Sequence, residues 1–116
     1  MTVSVTFRHG TENKMLRRRV EVECHALTRN TPDIIKIRVI FSKESRHSIS
    51  PDLIACHISI QAPNKQHIDV YQYQPNEFVA FNKALERAVS KLARLNAKKS
   101  THEIDRYLIE LREIRS

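Results

Sequence analysis

Hydrophobic residues recur along this chain in two rhythms. From the start they alternate with polar ones: Val3, Val5 and Phe7 face one way and Ser4, Thr6 and Arg8 the other. That period of two predicts a half-buried strand over 2–8, ended by His9-Gly10. The same rhythm returns three times. Ile35, Ile37, Val39 and Phe41 mark the buried face of a strand over 34–43. Ile54, Cys56, Ile58 and Ile60 mark one over 52–61, and Ile68 and Val70 one over 67–74. A polar loop over 44–51 and a short turn over 63–66 separate these three, so they are expected to pair as an antiparallel meander.

Over 76–99 the rhythm changes. Phe78, Phe81, Leu85, Ala88, Val89, Leu92 and Leu95 recur mostly at steps of three and four, one face of an amphipathic helix. Asn76 is its expected N-cap, and Glu77 suits the positive end of the helix dipole. Residues 11–30 carry both rhythms. Leu16, Val20, Cys24 and Leu27 fit a helix face, with Thr11 able to cap a helix starting at Glu12. Val20, Val22, Cys24 and Ala26 also alternate like a strand, so both readings stay open, the helix ahead. A last helix is expected after 99. Ser100 and Glu103 have capping-box spacing, and Ile104, Tyr107, Leu108, Leu111 and Ile114 form its apolar stripe. The order β-α-β-β-β-α with a C-terminal helix predicts an α+β, two-layer fold with helices on one sheet face. The expected division is one domain over 1–99 and a terminal helix over 100–116.

Charge adds a partner class. The formal net charge is +7 over 116 residues; residues 101–116 carry −1, leaving +8 on the first hundred. A basic body with a near-neutral tail points to a polyanion, most often nucleic acid. The charge is also ordered. Lys83, Arg87, Lys91, Arg94 and Lys98 repeat at helical steps on a second face of the 76–99 helix. They span about 22 Å at about 1.5 Å per residue, enough to follow several phosphates. Glu86 is the only acid within that span, so pairing inside the helix leaves the stripe positive, although a solvated face is the usual fate of such rows. Arg87 and Lys91 lie off the apolar stripe, which marks them for charge reversal without loss of the core. Lys14, Arg17, Arg18 and Arg19 form a second cluster; three consecutive arginines fan around a helix, and Lys14 and Arg18 are the favoured RNA contacts. Lys36 and Arg38 lie on the polar side of their strand. Tyr71 and Tyr73 share a strand face, where they either stack on bases or cover the sheet.

Other chemistry finds little support. A single glycine, Gly10, excludes glycine-rich phosphate loops and dinucleotide fingerprints. The histidines and the cysteines Cys24 and Cys56 show no zinc spacing, and both cysteines fall in register with core residues. Cys56 and His57 alternate to opposite faces, which argues against a nucleophile and base. No catalytic constellation, cofactor or metal site is expected. The N-terminus has no signal-peptide pattern and no apolar run approaches a membrane span, so a cytoplasmic location is the simplest expectation.

The element order and the long helix resemble the ribosome hibernation-promoting factor and ribosome-associated inhibitor (protein Y) family. The resemblance runs over roughly 3–99 and is best over 71–95. There Asn76-Glu-Phe-Val-Ala-Phe81 and Lys91-Leu-Ala-Arg-Leu95 look like the family's Asp-x-Tyr-x-Ala-Ile…Lys-Leu-x-Arg-Gln-Leu pattern. Phe78 stands where the family often has Tyr, and the tail after Lys99 is unlike the long β-rich dimerisation domain of its long form. The resemblance favours helix over 11–27 and a fold like the double-stranded-RNA-binding domain. It implies a non-enzymatic protein that binds the small ribosomal subunit and occupies the channel of mRNA and tRNA. Such a protein blocks translation during stress or stationary phase. Two other expectations stand beside it: a general module for structured RNA, and an interaction domain for an acidic protein. The last helix packs on the domain or on a second copy as a homodimer contact.

Overall fold

The computed structural model describes residues 2–8, 12–31, 33–44, 53–63 and 66–97. The expected terminal helix, the 100–116 segment and its dimer contact lie outside the described residues. Strand β1 (Thr2–Phe7) leads to helix α1 (Lys14–Asn30), then strands β2 (Lys36–Glu44), β3 (Leu53–Ala62) and β4 (Gln66–Gln74), then helix α2 (Glu77–Ala97). The four strands form one sheet in the order β1-β2-β3-β4. β1 runs parallel to β2, with Val5 opposite Val39, because a helical crossover separates them. β2, β3 and β4 form the expected antiparallel meander, with Val39 opposite Ile58 and Ile58 opposite Val70.

The dual rhythm of the second segment resolves as helix. Leu16, Val20, Cys24 and Leu27 are its buried residues, the four that helical spacing selected. Val22 is 58 % exposed, so the period-two reading fails there. The cap is Asn13 rather than Thr11: its side-chain oxygen accepts from the Leu16 N–H at 3.1 Å, and the helix starts at Lys14. Asn13 holds one of the otherwise unpaired first-turn amides.

Both helices close the same sheet face. Ile37, Val39, Phe41, Cys56, Ile58, Ile60, Ile68 and Val70 rise from the sheet to meet Leu16, Val20 and Cys24 of α1 and Phe81, Ala84, Ala88 and Leu92 of α2. Phe7 stacks on Phe41 with ring centres 5.1 Å apart, and Phe41 meets Phe81 at 6.4 Å, tilted by 54°. This aromatic line ties the β1 edge to α2 through β2. Phe81 is fully buried, and its truncation to alanine removes about 3–5 kcal/mol. Ala80 and Ala84 are also fully buried, although the stripe of large residues did not include them. Small side chains there let α2 settle close to the sheet.

One strand residue departs from expectation. Ile35 is 47 % exposed and Ile34 is buried instead. The Ile34 N–H closes a turn onto the Thr31 carbonyl at 3.2 Å, which changes the phase of the chain just before β2 begins at Lys36. Alternation then holds from Ile37 onward.

Candidate nucleic-acid interface

Helix α2 is fixed at its start and along both flanks. The Asn76 side-chain oxygen accepts from the amides of Phe78 (2.8 Å) and Val79 (3.2 Å), confirming the expected cap. Towards α1, the Asn13 amide donates to Glu77 at 2.6 Å and Arg19 donates to Asn82 at 3.1 Å. Towards β4, Arg87 donates to the Tyr71 carbonyl at 3.0 Å and to the Gln72 side chain at 3.2 Å. One turn on, the Lys91 ammonium donates to the Asp69 carbonyl at 3.1 Å. These flanks are opposite, so the cationic stripe lies over the outer edge of β4 and away from α1.

β4 ends the sheet, and edge strands carry unpaired carbonyls. Arg87 and Lys91 satisfy two of them, those of Tyr71 and Asp69, and both partners are neutral. Among the described residues, Lys83, Arg87, Lys91 and Arg94 have no carboxylate partner. Arg87, Lys91 and Arg94 line a shallow groove of about 380 Å³ with Glu86 and Ser90. A second groove of about 340 Å³ continues it between α2 and β4, lined by His67, Ile68, Asp69, Lys91, Arg94 and Leu95. Lys98 lies outside the described residues.

The basic cluster of α1 divides differently. Arg17 pairs with Glu12 and lies over the Phe7 ring, 5.7 Å from its centre. Arg19 is turned to Asn82. Lys14 and Arg18, the two favoured in the sequence, are exposed on the outer surface of α1. Lys36 is half-buried and Arg38 exposed on the sheet face that the helices leave open. The proposed RNA-contacting residues therefore fall on three surfaces: the α2–β4 edge, the outer side of α1 and the open sheet face.

On that open face the fold assembles a group that the sequence reading missed. Tyr71 lies opposite His57, and their rings stack at 4.2 Å with planes 8° apart. The His57 Nε2 is 2.9 Å from an Asp69 carboxylate oxygen. Hydrogen bonding to His57, helped by Ser59, holds the Asp69 carboxyl below the usual range despite the opposing effect of desolvation. The signal for this group was the 63–66 turn: pairing Ala62 with Gln66 sets His57 opposite Tyr71 and Ser59 opposite Asp69. Cys24 and Cys56 are buried in the core, where desolvation pushes both thiols up to about 12. They are therefore inert neutral thiols at pH 7. No helix among the described residues is long and apolar enough to cross a membrane.

A four-stranded mixed sheet with two helices on one face and a basic helix edge defines an α+β fold. The solved structures give that fold a more particular setting. A ribosomal subunit interface protein from Coxiella burnetii aligns with TM-score 0.69 at 14% identity, over 84% of this chain and 99% of its own. The N-terminal domain of Protein Y from Thermus thermophilus aligns with TM-score 0.65 at 17% identity, over 82% of this chain and 99% of its own. The chain therefore has the fold of these two proteins, as the resemblance in its sequence implied. No family model and no curated protein matches the sequence.

Proposed function

We propose that this chain is a ribosome-binding factor of the hibernation type, acting in the cytoplasm without catalysing a reaction. It occupies the mRNA and tRNA channel of the small subunit, and it lowers translation during stress or stationary phase. The observation that carries this reading is the near-complete coverage of two ribosome-associated structures by one fold, with a row of cations on its long helix that have no carboxylate partner among the described residues. Lys83, Arg87, Lys91 and Arg94 make the main contacts with rRNA phosphates, and Lys98 extends the row. Lys14 and Arg18 add contacts from α1, and Lys36 and Arg38 from the sheet. Phosphate contacts of this kind supply affinity and orientation and read little sequence.

Sedimentation of the protein with purified small subunits and whole ribosomes, at low and moderate salt, tests the reading. Co-sedimentation at low salt that weakens steeply with added salt is the expected result. Absence from the small-subunit fraction at low salt would end the proposal.

A further inference from the structure

We propose that the open face of the sheet is a second RNA surface, one that takes an unpaired base and its backbone from a single strand. The proposal does not require the ribosome, and it concerns the face opposite the α2 core contacts.

The face has a base-stacking end. Tyr71 is 51 % exposed, and its ring is already backed by the parallel ring of His57. Asp69 anchors His57 through Nε2, so the pair is set before a ligand arrives. Preorganised rings lose little conformational freedom when a base stacks on them, and stacking is tolerant of base identity. Tyr73 lies on the same face one alternation further along β4, opposite Ala55.

The face also has a phosphate end. Sheet register places Arg38 in the row of Ser59 and Asp69, and Lys36 in the row of Gln61 and His67. Both cations rise from β2, two strand spacings from β4, about 10 Å. The anionic Asp69 stands beside the rings on β4. Charge complementarity therefore orients the strand: its base stacks on the face of Tyr71 that His57 leaves free, at the β4 edge, and the phosphates of the neighbouring nucleotides run towards β2. A duplex keeps its bases stacked inside and cannot offer one to a flat sheet without opening. The chemistry of the face thus selects single-stranded RNA. Among the described residues no other element lies on this face.

The test is binding of the whole chain to a fluorescently labelled single-stranded RNA decamer and to the corresponding duplex, read by anisotropy. The wild type is expected to bind the single strand, and Tyr71→Val to weaken that binding about tenfold or more. Tyr71→Phe keeps the ring and keeps the affinity. Arg38→Gln lowers the affinity and reduces the salt slope by about one. His57→Leu breaks the ring pair and gives the same loss as Tyr71→Val, so it serves if that variant does not fold. Equal single-strand affinity for wild type and a folded Tyr71→Val would overturn the proposal. So would a loss of duplex binding as large as the single-strand loss, or no single-strand binding by the wild type. Failure to co-sediment with ribosomes would remove the proposed ribosomal role and leave this result standing.

Discussion

Helices α1 and α2 both carry basic rows, and the fold employs them differently. Arg17 of α1 is paired with Glu12, and Arg19 reaches across to Asn82, so part of that row holds the two helices and β1 together. Arg87 and Lys91 of α2 also make structural contacts, but with the carbonyls of Tyr71 and Asp69. A carboxylate partner cancels a charge, whereas a carbonyl partner orients it and leaves it in place. Asp69 makes the point. It offers its carbonyl to Lys91 and directs its carboxylate to His57 on the other sheet face. α2 thus keeps a positive edge that α1 has partly neutralised, and that difference makes α2 the stronger candidate for binding RNA.

Charge reversal on the two helices gives the largest expected effect. Lys83→Glu with Arg94→Glu changes α2 cations that hold no described partner. It is expected to lower affinity for ribosomal RNA on the order of a hundredfold at low salt and to reduce the salt slope by about two. Arg17→Glu with Arg19→Glu on α1 is expected to lower RNA affinity clearly less than the α2 variant, while lowering the melting temperature because it breaks the contacts with Glu12 and Asn82. Filter binding at several salt concentrations checks both. Equal losses from the two double variants would erase the distinction between the helices.

A second pair of changes separates charge from structure within α2. Arg87 and Lys91 looked in the sequence like sites where reversal spares the fold. Their bonds to the β4 edge alter that expectation, because a glutamate there would set a carboxylate against carbonyl oxygens. Arg87→Met and Lys91→Met keep much of the apolar stem and remove the donor. Each is expected to cost about 0.5–1.5 kcal/mol in urea unfolding, the net value of a hydrogen bond. The double variant is also expected to self-associate more readily, since it uncovers two edge carbonyls. Unchanged stability in both single variants would mean that the contacts with β4 are incidental, and the contrast with α1 would then rest on charge alone.

Most of this architecture was legible because the periods were clean. The strands read correctly where one face alternates, as from Ile37 to Phe41, and α2 read correctly from its stripe and the Asn76 cap. Ile35 was misplaced because a turn at Thr31 and Ile34 shifts the phase, and turns of that kind leave no periodic mark. Ala80 and Ala84 were missed because small residues carry little hydrophobic signal, yet close packing requires them. Among the candidate contacts, the sequence separated Lys14 and Arg18 from Arg17 and Arg19 by helical angle alone. It did not reveal that Arg87 and Lys91 reach back to β4, or that His57, Asp69 and Tyr71 meet. Those contacts join residues that only strand register and helix docking bring together.

The smallest expected effect probes the diversion of Asp69 from the cationic edge. Its folded carboxyl titrates below the ordinary aspartate range, principally through the hydrogen bond from His57. A depressed carboxylate favours the folded state above the unfolded value, near 3.9, and that contribution is lost as pH falls through the lower folded value. Asp69 is exposed, so the contribution belongs with surface pairs, about 0.2–1 kcal/mol. Asp69→Asn is therefore expected to be slightly less stable than the wild type at pH 6 and to converge with it as pH falls through the lowered folded value. Urea unfolding of both proteins across that range measures the gap. A gap that stays constant with pH would show that the carboxylate charge contributes nothing through His57. Asp69 would then be free to turn towards Lys91, and the uncancelled charge of α2 would need another explanation.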